Sequence, residues 1–101
     1  MLKYMTRVFL LVAAFALPAA AALAQTSTQE PNVDRPGSDY RDFDLRAPDP
    51  QICGQACLGD KSCVAWTFVR EGVQGPSPRC WLKNAVPAPQ PSDCCTSGII
   101  Q

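Results

Sequence analysis

The chain has 101 residues, with nine Lys and Arg against nine Asp and Glu and no His. That balance supplies no basic face for nucleic acid or an anionic membrane, and the lack of His removes the commonest general base and metal ligand. Six Cys, all from Cys53 onward, in a chain too short to bury a large core point to disulfides as its main support.

Lys3 and Arg7 form a short basic start, and Val8 to Leu23 is then uncharged and rich in Leu, Val, Ala and Phe. Ala22-Leu23-Ala24 supplies the small residues that signal peptidase accepts, so residues 1–24 read as a cleaved secretory signal. Pro18 interrupts the apolar run, which is shorter than the ~20 residues that span a bilayer. No second apolar run follows, so after cleavage the chain is expected to be free of the membrane, in the periplasm or outside the cell. Loss of Lys3 and Arg7 leaves more acids than bases.

Residues 25–36 are polar, hold two prolines and lack apolar periodicity; they are expected to be a disordered leader, with the folded domain over 37–101. Pro36-Gly37 is a turn signal, and Tyr40 to Leu45 alternates apolar and polar residues as a half-buried strand does. Asp49-Pro50 suits a helix start, since Pro costs nothing in the first turn. Gln51 to Leu58 then carries Ile52, Cys53, Ala56 and Cys57 at helical spacing, with both sulfurs on one face, and Gly59 is placed to end the helix in the left-handed conformation.

Ser62 to Val69 is rich in Val, Thr, Trp and Phe and predicts a strand. Strict alternation puts Cys63, Ala65, Thr67 and Val69 on one face and Val64, Trp66 and Phe68 on the other. Glu71 to Pro78 is a Gly- and Pro-rich hairpin loop, and Arg79 to Lys83 is the return strand, with Cys80 and Leu82 on one face and Trp81 on the other. Pro87 to Pro91 is expected to be irregular, and Cys94 to Ile100 to close the chain as an edge strand. The fold class is α+β: a small disulfide-stapled domain with one helix packed on a small antiparallel sheet.

The cysteine spacing Cys53-x3-Cys57-x5-Cys63-x16-Cys80 accompanies Pro36-Gly37-Ser38-Asp39-Tyr40, Ala65-Trp66-Thr67-Phe68, Cys80-Trp81-Leu82-Lys83 and Cys95-Thr96-Ser97-Gly98. Together these resemble the short bacterial members of the PAN/Apple domain family, over about residues 36–100. The resemblance implies bridges Cys53–Cys80 and Cys57–Cys63, clipping the helix to the central strands. It also implies a non-enzymatic adhesive module that recognises a protein or a carbohydrate. The larger members close the domain ends with a third bridge, but no Cys precedes Cys53 here. For Cys94 and Cys95 the residues leave open a bridge between neighbours, free thiols, bonds to another molecule or a different pairing.

Candidate ligand-binding residues are Trp66, Phe68 and Trp81, read with Val64 as an aromatic platform that Tyr40 and Phe43 of the first strand are placed to cover, and Arg70 and Arg79 at the ends of the hairpin loop. No catalytic residue, metal ligand or cofactor site is identified. Asp42 and Asp44 share a strand face but read as a solvated edge, and the cysteine spacing lacks the short paired knuckles of a zinc site. The expected partner is an extracellular or periplasmic protein or glycan. The alternatives are a small redox or thiol-linked protein using Cys94-Cys95 and a disulfide-rich inhibitor or structural protein.

Overall fold

The computed structural model describes residues 24–101, so the expected signal segment lies almost wholly outside the described residues. In chain order its elements are β1 (Glu30–Asp34), β2 (Asp39–Asp44), α1 (Pro50–Leu58), β3 (Ala65–Val69), β4 (Arg79–Lys83) and β5 (Gln90–Ile99). The strands form one sheet in the order β1-β5-β3-β4-β2, with every neighbouring pair antiparallel. The class is the expected one, a small α+β domain stapled by disulfides.

Local chemistry sets the helix ends. Asp49 stands at the N-cap with extended backbone, and its carboxylate accepts from the Gln51 N–H at 2.9 Å. Pro50 fills the first turn. At the other end Gly59 keeps a right-handed conformation (φ −82°), not the left-handed one expected, because its N–H still donates to Gln55 O at 3.0 Å and Asp60 N–H donates to Cys57 O at 3.1 Å. Cys53 and Cys57 point down onto the sheet and are bonded to Cys80 and Cys63 respectively. All four are buried, in a core with Leu45, Trp66, Phe68 and Leu82.

That core corrects the expected faces of β3. The register pairs Trp66 with Leu82 and Phe68 with Cys80, and cross-strand partners share a face, so Trp66 and Phe68 lie beneath the helix. Ala65, Thr67 and Val69 share the opposite face with Lys83, Trp81 and Arg79. The expected alternation holds from Ala65 to Val69; what fails is the choice of face, because Cys63, expected to mark the side that meets the helix, is not in the strand. It sits in a turn before β3, where its N–H donates to Asp60 O at 3.0 Å, and reaches Cys57 from there. No joint platform of Val64, Trp66, Phe68 and Trp81 exists. Nor does the strand with Tyr40 and Phe43 cover one; β2 lies beside β4 within the sheet.

Trp66 is fully buried in a slot between two glycines. A Cβ on Gly54 of α1 would stand 3.1 Å from its ring, and one on Gly98 of β5 would meet ring atoms in a clash and the Thr28 carbonyl as well. The indole N–H donates to Ser27 Oγ at 2.6 Å. Both the helix and the N-terminal segment are therefore gathered around one side chain.

The expected leader over 25–36 is a second correction. Its Glu30–Asp34 is β1, an edge strand on β5, and Thr26 and Gln101 exchange backbone hydrogen bonds at 3.2 and 2.8 Å. An edge strand tolerates Pro31, and Asn32, with φ 57°, sits where the register shifts between Pro31 and Val33. With β1 outside it, β5 is an interior strand and not the expected edge, and it begins at Gln90, within the stretch expected to be irregular.

Gly98→Ala tests the Trp66 slot. Forcing a methyl into it is expected to cost at least the 1–3 kcal/mol typical of overpacking. A chemical-denaturation midpoint equal to wild type would show that the slot does not constrain this position.

Candidate functional site

The sheet face turned away from the helix is covered only in part. Its floor carries Thr67 and Val69 from β3 and Trp81 and Lys83 from β4. Val73 and Gln74 from the hairpin loop, Asp34, Pro36, Gly37 and Asp39 from the β1–β2 region, and Cys94 and Cys95 from β5 complete a groove of about 280 Å³. A second hollow of about 380 Å³ lies between the N-terminal segment and α1, but Gln, Ser and Thr dominate its lining, with no charged or aromatic group.

Charge and hydrogen bonding fix the groove. The Lys83 side chain is only 2% exposed, and its Nζ donates to Asp39 Oδ1 at 2.5 Å and to Gly37 O at 3.1 Å. A buried ammonium is tolerable only when paired in this way, and the pairing holds the turn at Gly37 against the floor. Gly37 itself has φ 104°, open to glycine and strained for other residues. Arg35 plays the same part nearby: it donates from Nε and Nη2 to Glu30 at 2.9 and 2.7 Å and from Nη1 to Pro87 O at 2.7 Å. Donating to the Glu30 carboxylate holds the Arg35 guanidinium above its usual pKa.

Deeper in the face, Ser97 Oγ donates to Val33 O at 2.7 Å and so accepts the proton of Thr67 Oγ1 at 2.8 Å, which ties β3, β5 and β1 together through side chains. Among the described residues no buried side-chain nitrogen or oxygen is left without a partner.

The five residues proposed for binding separate here. Trp66 (0% exposed) and Phe68 (5%) belong to the core beneath the helix and reach no surface. Trp81 is in the groove, half-buried, with its indole N–H donating to Gln74 Oε1 at 2.9 Å. Arg79 stands beside it, its guanidinium 5.7 Å from the Trp81 ring centroid. Asp42 accepts from Arg79 Nε at 2.7 Å and also from Nη2, and Asp44 accepts from Nη1 at 2.8 Å. The Asp42 hydrogen bond chiefly raises the Arg79 pKa. The two carboxylates thus clamp a cation. Arg70 lies outside the groove, exposed, donating to Asp93 O at 3.3 Å.

Cys94 and Cys95 are bonded to one another across an ordinary trans peptide with Cα–Cα 3.7 Å, and both line the groove. The Asp34 carboxylate is close enough to both sulfurs for the three to serve one ion as ligands. The Lys83–Asp39 pair, Asp34 and the Thr67–Ser97 link escaped the sequence reading. Only the β4 alternation, which puts Lys83 on the face of Trp81, signalled any of them.

The groove therefore offers an indole face, a carboxamide, a fixed ammonium–carboxylate pair, a further carboxylate and a disulfide within one small concavity. This is a surface of mixed polarity, suited to holding a small polar ligand with an apolar face. Among the described residues no helix is long and apolar enough to cross a membrane.

Comparison with known proteins adds a family. The PAN domain family model matches residues 33–83, which include β2, α1, β3 and β4. A protein of Acanthamoeba polyphaga mimivirus, described as uncharacterized, is 33% identical over 76 residues, covering 74% of this chain and 20% of that protein. The chain thus spans about a fifth of that relative's length. No solved structure matches significantly.

Asp39→Asn tests what holds the groove. Breaking a fully buried pair costs ~3–5 kcal/mol, and because the Asp39 side chain is 31% exposed the expected loss falls below that range, about 2–3 kcal/mol. Replacing Lys83 as well, by Met, should recover part of it. A single variant as stable as wild type would mean that Lys83 is not held by this carboxylate.

Proposed function

Because the chain belongs to the PAN domain family, whose members are in general protein- or carbohydrate-binding modules, we propose that it is an exported, non-enzymatic binding module that takes a carbohydrate into the groove beside Trp81. The observation that carries this is the setting of Trp81, an indole on the floor of a concavity whose other groups are hydrogen-bonding side chains. A sugar ring has apolar C–H faces and a rim of hydroxyls. Trp81 meets the first need, and Gln74, Asp34 and the Lys83–Asp39 pair meet the second.

Export rests on two features. The described cysteines are all disulfide-bonded, the state of proteins in an oxidising compartment. The basic start, apolar run and Ala22-Leu23-Ala24 supply a cleaved signal, with secretion to the periplasm or beyond.

A glycan array followed by titration of any hit tests this. Trp81→Ala is expected to weaken binding about tenfold or more, as loss of an aromatic contact worth ~1.4 kcal/mol would. Arg70→Ala should leave it unchanged. Glycan binding that survives Trp81→Ala would place the ligand elsewhere, and a blank array would return the choice to a protein partner.

A further inference from the structure

The three bridges are not equivalent. Cys53–Cys80 and Cys57–Cys63 lie in the core, and all four residues are at most 5% exposed. Cys94 alone of the six is half-buried and not buried, and it lines the groove. Its bridge joins chain neighbours and closes no loop, so on the chain-entropy model it places no restraint on the unfolded chain. The Cα atoms stand 3.7 Å apart, whereas disulfides ordinarily span ~4.4–6.8 Å, and bonds outside that range are the more easily reduced. Ser92 Oγ donates to Cys94 Sγ at 3.1 Å.

Asp34 adds a third group. One of its carboxylate oxygens and the two sulfurs all lie within 4.8 Å of one another, close to the ~4.6 Å that two Zn–S bonds can span. Asp34 takes part in none of the ion pairs among the described residues.

We propose that Asp34, Cys94 and Cys95 form a redox-gated site for a soft divalent metal ion, closed while the two sulfurs are bonded and open once a dithiol has reduced them. The exchange balances. A thiolate of the reductant attacks Cys94 Sγ, the bond to Cys95 breaks, and Cys95 leaves as a thiolate that takes a proton from water. The reductant's second thiolate then displaces Cys94 Sγ, which takes a proton likewise, and the reductant departs as a cyclic disulfide. Two electrons have passed to the protein, and its two sulfurs are thiols. A soft cation displaces both thiol protons, and two thiolates and one carboxylate hold it with a fourth position left for water. Ser92 then hydrogen-bonds a ligand sulfur, the outer-shell support that such sites use.

Cadmium is the probe, because thiolate-to-cadmium charge transfer gives an ultraviolet band. The purified protein is treated with one equivalent of dithiothreitol, freed of it under nitrogen, and divided between alkylation mapping and cadmium titration. Label on Cys94 and Cys95 alone, one cadmium per reduced chain and none per oxidised chain are expected. Asp34→Asn should weaken cadmium binding at least about tenfold, since losing even an outer-shell partner does as much. Ile52→Ala, an exposed position on the helix and outside the groove, should leave it unchanged. First label on Cys53, Cys57, Cys63 or Cys80, no cadmium band after reduction, or a band that persists in the folded Cys94→Ser, Cys95→Ser double variant overturns the site. Unchanged affinity in Asp34→Asn overturns the three-ligand set. Far-ultraviolet circular dichroism shows that each variant is folded.

Discussion

A helix of nine residues does not hold itself together in water. What holds α1 here is the pair of bridges Cys53–Cys80 and Cys57–Cys63, one to the return strand and one to the turn before the central strand. On the chain-entropy model the longer loop is worth about 3.5 kcal/mol and the shorter about 2.4 kcal/mol, with some overlap because one loop lies inside the other. That rivals the whole stability of a domain with so small a core. The bridges also bring α1 close enough for Gly54 to rest on Trp66, while Gly98 lets the same indole lie against β5. The slot joins helix, central strand and C-terminal strand, and Ser27 brings in the N-terminal segment.

With the helix committed to one face of the sheet, the other must be shielded by loops. Loops carry few apolar residues, so this layer is polar inside. Lys83 with Asp39 and Arg35 with Glu30 are partly or fully buried ion pairs, and desolvation offsets most of what such pairs gain. Their contribution is positional. Lys83 also binds Gly37 O, and Arg35 also binds Pro87 O, so each cation reaches a backbone carbonyl of a covering loop as well as a carboxylate. The groove is the space these loops leave, and its shape depends on polar contacts where the helix face depends on packing.

This division explains what could be read in the sequence. The helix was legible because its signals are local: Asp49-Pro50 before it, Cys53 and Cys57 one turn apart, Gly59 after it. The bridges followed from the family pattern. The alternation of β3 was legible, but which of its faces meets the helix was not, since Cys63, the residue that marked that face, lies in a turn. Trp66 and Phe68 were lost as ligand candidates for that reason, whereas Trp81 survived because β4 starts where its pattern does. β1 gave no signal, since an exposed edge strand with Pro31 and Asn32 reads as polar coil. The groove was hidden because long-range loop contacts make it: Asp34, Asp39 and Lys83 are brought together by topology, with no motif to mark them.

The placement of the cysteines follows the same boundary. A cysteine in the core is a cross-link and little else, since burial keeps reductants and metals from it. Four of the six occupy such positions and carry the chain's covalent support. The adjacent pair closes no loop, and its half-buried Cys94 lines the groove of the polar layer, beside a carboxylate outside the ion-pair networks. The bridges that hold the helix and the groove that the adjacent pair lines therefore lie on opposite faces of a single sheet, with the buried β3 between them.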